Sequence, residues 1–249
     1  MIEIKNIYKS FDEKVVLNNI SSKFQSGKIN LIIGKSGSGK TMAIKCMLGL
    51  HDLDRGEVIF GNRNFITMSD RDRRDVRKEI GMVFQAGALF DSMSVEDNVM
   101  FPLKMSSNMS LFEMKKRVNF CLDRVDLSGV NDLFPSELSG GMQKRVAIAR
   151  AISLNPKYLF CDEPNSGLDP TTSNVIDNLL KEITYEYNIT TVINTHDMNS
   201  VLQIGDNILF IKNGEKKWEG SNSDLLSSTN KDLDSFLFAS KLFVNLKKI

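Results

Sequence analysis

The residues best placed to do chemistry form one short run. Residues 34–41 read GKSGSGKT, which fits the phosphate-loop pattern G-x-x-x-x-G-K-[ST]. In such a loop Gly37 and Gly39 let backbone N–H groups face inward onto phosphate oxygens. Lys40 neutralises those oxygens, and Thr41 offers a hydroxyl to Mg²⁺. Gly34, Lys35, Ser36 and Ser38 complete the loop. An apolar strand, KINLII, runs into it and a helix, TMAIKCMLGL, follows, so the helix's positive end points at the anion. The implied chemistry is binding of a nucleoside triphosphate.

A second group lies at 158–164, YLFCDEP, where an apolar strand ends in two carboxylates. Beside a phosphate loop, Asp162 is placed to hold the Mg²⁺ shell. Glu163 would then project toward the γ-phosphate and polarise water. Alone, the pair reads equally well as two surface acids at a strand end. His196, in NTHD, follows the next apolar strand, and Gln85, in MVFQ, ends an earlier one. An imidazole at the same sheet edge would face the γ-phosphate, and a neutral amide there can touch Mg²⁺ or water. By itself each is an ordinary polar residue closing a strand. Phe11, in YKSFDEK, offers either core packing or a ring for a base to stack on. His51 is given no role.

These groups need a scaffold to position them. Apolar runs at GEVIFGN, EIGMVFQ, KYLFCDE, ITTVINTHD and NILFIKNGEKKWEG read as strands. Helical periodicity covers 110–124, 140–153 and 171–187. Strands alternating with helices predict an α/β fold, a phosphate-loop core with a mainly parallel sheet. Residues 1–84 and 156–220 would form it. No strand is predicted between Gln85 and Pro156, so 85–155 reads as an inserted helical lobe. From 221 to 249 the chain is a polar tail with Leu and Phe at helical spacing.

Bulk composition narrows the partners. The chain has 249 residues with 32 basic and 31 acidic side chains, so no global field draws it to nucleic acid or anionic lipid. The densest charge run, DRDRRDVRKE at 70–79, alternates in sign and predicts a solvated helix face. Three cysteines, at no metal-binding spacing, predict small buried hydrophobes in a reducing cytosol. No apolar stretch reaches membrane-span length, so a membrane role would come through a partner.

One run is left over. Residues 138–145 read LSGGMQKR, a Ser-Gly-Gly turn opening an apolar helix, which is a second place for an anion. With it, the order GKSGSGKT, FQ, LSGG, LFCDEP with SGLDP, and THD resembles the ATP-binding subunits of ABC transporters over essentially the whole chain. That resemblance implies an N-terminal antiparallel β portion and ATP with Mg²⁺ as ligands. It implies a homodimer in which Ser139, Gly140 and Gly141 of one chain grip the γ-phosphate on the partner's phosphate loop. Asp169 would cross the same interface, and Phe11 would take the adenine-stacking place. Met142 stands where the family's commonest signature has Gln. That departure, with FQAGALFDSMSVEDNVMFPL at 84–103, resembles the ATPases of Mla-type, MCE-associated lipid transporters. Such systems imply a multispanning permease, an MCE-domain lipid-binding protein and a place on the inner face of the cell membrane. Amino-acid importers and lipoprotein-release systems share the larger motifs. A soluble ATPase acting on ribosomes or DNA is opposed by the missing linker and the balanced charge. A subunit with a dead site is opposed by Lys40, Asp162, Glu163 and His196. Met93, Met100, Met105, Met109 and Met114, with Phe90, Phe101 and Phe112, suit a groove for a partner's helix or, for at least half of them, core filler.

Overall fold

The computed structural model describes residues 1–237; the tail expected at 221–249 therefore lies in part, from 238, outside the described residues. Strands run β1 Ile2–Phe11, β2 Lys14–Phe24, β3 Lys28–Ile33, β4 Arg55–Phe60, β5 Arg63–Asn64, β6 Ile80–Val83, β7 Tyr158–Asp162, β8 Thr190–Thr195, β9 Asn207–Lys212 and β10 Glu215–Ser221. Helices run α1 Lys40–Met47, α2 Asp70–Lys78, α3 Val95–Ser106, α4 Leu111–Arg124, α5 Gly140–Ile152, α6 Pro170–Glu186, α7 Met198–Ile204, α8 Asn222–Ser227 and α9 Lys231–Leu237. Two compact units emerge, one from Met1–Arg73 with the chain from Thr190 on, the other from Arg74–Ile189.

In the first unit, β2, β1, β4 and β5 form an antiparallel sheet in that order. Asp12, at φ 49°, makes the tight turn between β1 and β2. A second sheet places β3 between β8 and β9, both parallel to it, and β10 returns antiparallel along β9. Five of the six residues of β3 and all six of β8 are buried, which is why these strands read as continuous runs rather than alternating ones. The register pairs Ile33 with Thr195, so both strands end at one edge. α9 is fixed to this unit by Lys212 to Asp232 at 2.6 Å and by Phe210 stacked on Phe236 at 5.1 Å.

In the second unit, β6 and β7 pair in parallel with Val83 opposite Cys161, so they too end together. Between them the chain has no strand, only α3, α4, a short 3₁₀ turn and α5. α4 opens with a capping box in which Ser110 and Glu113 satisfy each other's backbone N–H groups. α5 buries Val146, Ala147, Ile148, Ala149, Ala151 and Ile152. Each large aliphatic side chain so buried contributes about 1.5–3 kcal/mol. The observed class is α/β, with one antiparallel sheet and mainly parallel pairing elsewhere.

The charge run at 70–79 forms α2, of which only Val76 is buried. The three cysteines are free and buried. Burial pushes the Cys46 and Cys121 thiols up to about 11. No helix among the described residues is long and apolar enough to cross a membrane.

Candidate functional site

In the first unit the phosphate loop leaves β3 and enters α1. Gly37 and Gly39 stand at φ 77° and 107°, conformations that a side chain with a Cβ rarely adopts. A Cβ on Gly39 would also come within 2.8 Å of the Val16 carbonyl. The loop is braced from outside, because Gly214 donates its N–H to the Ser38 carbonyl at 2.9 Å and accepts from Asn18 at 2.7 Å. Lys40 is nearly buried, and its ammonium donates to the carbonyls of Gly34 at 2.9 Å and Lys35 at 3.2 Å. The lysine thus arches over the loop it serves. Lys35, Ser36 and Gly37 are exposed, while Ser38 is buried. α1 carries no acidic residue in its first turn, so its N-terminal field is uncompensated.

Thr41 begins the same helix, and its hydroxyl accepts from the Asn194 amide at 3.1 Å. Asn194 lies on β8, two residues before His196, which is exposed at the edge where β3 also ends. Sequence reading found His196 but missed Asn194, whose neighbour comes from 153 residues away. Phe11 is 41% exposed, so the core-packing alternative fails. Its ring meets the edge of His51 at 5.6 Å, and the Lys9 ammonium lies 5.2 Å from its centroid. His51, given no role from sequence, is therefore a wall of the Phe11 platform.

In the second unit Asp162 ends β7, Glu163 follows it, and Gln85 follows β6 by two residues. The Gln85 amide donates to Glu163 at 3.2 Å and to the Ser166 hydroxyl at 3.3 Å. Glu163 sits at φ 48°, a left-handed backbone held against its preference. Each residue named for magnesium offers a hard oxygen: the Thr41 hydroxyl, the Gln85 amide and the Asp162 carboxylate. Among the described residues no three His, Cys, Asp or Glu side chains cluster as a metal cage. Mg²⁺ fits such a donor set, since it is held through one or two carboxylates with phosphates and water completing its shell.

The Ser-Gly-Gly turn also lies in this unit. Ser139 caps α5, its oxygen accepting from the Met142 N–H at 3.2 Å, and its exposed O–H remains a possible donor. α5 carries no acidic residue in its first turn. A Cβ on Gly141 would come within 2.6 Å of the Thr172 side-chain methyl, so a larger residue there would make Thr172 shift. Asp169 caps α6, accepting from the N–H groups of Thr171 and Thr172, each at 3.0 Å. The Thr172 hydroxyl, above all, holds its carboxyl below the usual range.

Beside Gln85 a groove of about 390 Å³ is lined by Phe84, Ala88, Phe90, Phe101, Pro102 and Leu154, among others. Phe90 and Phe101 meet at 4.9 Å. Of the rings expected there, Phe90 and Phe101 line it and Phe112, 79% exposed, does not; of the five methionines at 93–114 none lines it. Met100 is core; Met105 is 70% exposed and Met109 is also exposed. Asn98, fully buried and also unforeseen, donates to the carbonyls of Phe90, Met93 and Ser94 and accepts from the Phe90 N–H at 2.8 Å. It ties the groove's loop to α3.

A family model described as ABC transporter matches residues 17–166. The chain is 37% identical to the intermembrane phospholipid transport system ATP-binding protein MlaF of Haemophilus influenzae, over 95% of this chain and 90% of that one. It is 39% identical to the methionine import ATP-binding protein MetN of Clostridioides difficile, over 94% of this chain and 72% of that one. Among solved structures it is similar to the dimeric ATP-binding cassette MJ0796 in a post-hydrolysis state bound to ADP and Pi. That match has a TM-score of 0.81 and 33% identity, over 89% of this chain and 99% of that one.

Proposed function

This chain belongs to the ABC transporter family and is an ATPase, and on that premise we propose that its hydrolysis drives lipid transport between membranes through a separate multispanning permease. The observation carrying the lipid reading is the Gly-Ala-Leu-Phe-Asp-Ser run at 87–92, together with Met142 in the signature. Similarity to MlaF supports it. A second reading, an amino-acid importer, is favoured by the similarity to MetN.

In this reading residues 1–84 and 156–220 form the ATP-binding core, and 85–155 form the signature lobe. The phosphate loop, Gly34 to Thr41, binds the phosphates, Lys40 neutralises them, and Phe11 stacks on adenine. Thr41, Gln85 and Asp162 would hold Mg²⁺, which would draw charge from the phosphate oxygens. Glu163 polarises the attacking water while Gln85 steadies its carboxylate, and His196 faces the γ-phosphate from the end of β8. The bond between the γ-phosphorus and the bridging oxygen breaks as water adds, giving ADP and phosphate.

Two chains pair head to tail. Ser139, Gly140 and Gly141 of each hold the γ-phosphate on the other's loop, and Asp169 crosses the interface. The pair attaches to the inner face of the cell membrane by seating a cytosolic permease helix in the groove around Phe90. An MCE-domain protein completes the assembly, and nucleic acid has no part in it. Purification with native partners, followed by mass spectrometry, tests this. A permease with an MCE-domain protein and co-purified lipid is expected. Recovery of a periplasmic amino-acid-binding system, a lipoprotein-release permease or ribosomes would overturn it.

A further inference from the structure

The helix that begins at the Ser-Gly-Gly turn grips more than its own turn. Three consecutive side chains leave α5 about 100° apart, so they fan across most of its circumference. Gln143 donates to the carbonyls of Pro135 at 2.9 Å and Leu138 at 3.3 Å. Lys144 donates to the Gln85 carbonyl. Arg145 donates to the carbonyls of Val125 at 3.3 Å and Asp126 at 3.0 Å. Farther along, Arg150 donates to the carbonyls of Gly87 at 2.7 Å and Ala88 at 2.8 Å. Two cations of one helix therefore hold three carbonyls within residues 85–88.

Those residues do not adopt their shape freely. Gly87 and Ala88 stand at φ 74° and 50°, two successive left-handed residues. Alanine has a Cβ, and it keeps that conformation only where the surroundings hold it there. The hold is made by charged donors, with Lys144 buried and Arg150 partly so. Lys144 is 7% exposed, and burial pulls its ammonium below the usual lysine range. A charge in that setting demands good acceptors, and the Gln85 carbonyl is one. Gln85 then passes the connection on, because its side-chain amide bonds Glu163. Arg150 and Ala88 both line the apolar groove with Phe90 and Phe101.

We infer that Lys144 and Arg150 are positioning residues that lock the strained 85–88 turn to the helix of the Ser-Gly-Gly turn, so that one shift of that helix moves Gln85 against Glu163 and reshapes the groove. The inference rests on the roles proposed above for Glu163 and for Ser139 to Gly141. It adds the mechanical link between them. Binding of an anion at the Ser-Gly-Gly turn acts on the N-terminus of α5. A helix closed by backbone hydrogen bonds moves as a rod, and the bonds of Lys144 and Arg150 make the 85–88 turn follow it.

The test uses the purified complex with its native permease. Lys144→Met and Arg150→Met keep the stems and lose the donors; Lys144→Arg restores a donor of sufficient length. For the Met variants kcat should fall by about tenfold with KM for ATP within about twofold, the pattern of misplaced catalytic groups rather than lost binding. The ATP-induced change in amide hydrogen exchange over 86–90 should vanish in both and return in Lys144→Arg. A Met variant that fails to fold is replaced by Lys144→Gln or Arg150→Lys, with the same exchange readout and a smaller fall in kcat. An 86–90 response to ATP equal to wild type overturns the inference, whatever the change in thermal stability. The underlying reading is checked separately in Glu163→Gln with Lys144 and Arg150 intact. Absence of an ATP-dependent dimer there would count against the site assignment and leave the mechanical link to the exchange data.

Discussion

In the proposed mechanism turnover depends on Glu163, and its surroundings bear on how. Its backbone is left-handed at φ 48°, and the Gln85 amide at 3.2 Å fixes one carboxylate oxygen. Glu163→Gln keeps the shape and loses the charge. It should bind ATP normally, lose about 10²–10⁴-fold in kcat, and accumulate an ATP-bound dimer detectable by size-exclusion chromatography. Near-normal hydrolysis by the mutant complex would remove Glu163 from the mechanism. The residue scale also shows which side chains the sequence hid. Lys144 and Gln85 are 59 positions apart, and Arg150 and Gly87 are 63. In both cases the partner atom is a backbone carbonyl, which has no sequence signature. Asn98 was hidden for the same reason, since its bonds go to backbone N–H and carbonyl groups.

At the scale of elements, the groove is a product of α3, α5 and the chain after β6. Phe84 and Phe90 are each 41% exposed and lie together in one apolar groove. Pro102 lies within α3, and Asn98 one turn earlier seals the loop against the helix. A cytosolic helix of a permease seated there would bury these rings, and a carboxylate placed among them would put a charge against that apolar contact. Phe90→Glu should therefore weaken co-purification of the permease or uncouple ATPase activity from transport. A loss of about 2–4 kcal/mol in assembly is typical for disrupting an aromatic anchor. ATP affinity of the isolated chain should be unchanged, as followed by a fluorescent nucleotide. Retained assembly with unchanged transport would move the docking site elsewhere. The methionines expected to line this surface do not, because α3 turns Met100 into the core and Met105 outward near its end, while Met109 is exposed in the connection to α4.

For the whole molecule, the question is whether one chain suffices for a working site. The phosphate loop and the Ser-Gly-Gly turn each end in a helix N-terminus with no acidic residue in the first turn. Two such anion sites and one set of catalytic groups suit a pair of chains related by a twofold axis, in which each site is completed by the other copy. Mixed dimers decide this. Ser139→Arg places a bulky cation at the turn, and Lys40→Ala empties the loop. Each homodimer of a single variant should be inactive. A dimer with one chain of each kind puts both lesions in one shared site and leaves the other whole. About half of the hydrolysis per dimer should return, on counting intact sites alone. Sites formed within single chains would give no recovery.

The phosphate loop, the paired acids, the terminal histidine and the Ser-Gly-Gly turn were all legible in the sequence. The loop and the turn are local motifs, and the acids and the histidine stand at the ends of strands that are buried on both faces and so appear as unbroken apolar runs. The α/β class followed from the same runs. What the sequence could not supply was everything made by residues distant along the chain. That includes the His51 edge against Phe11, the Asn194 amide on Thr41, the Asn98 clamp, and the grip of Lys144 and Arg150 on a strained turn. Such contacts are set by which elements pack together and in what register. Hydrogen bonds to backbone carbonyls can form beside any residue type, so only the tertiary structure decided where they fall.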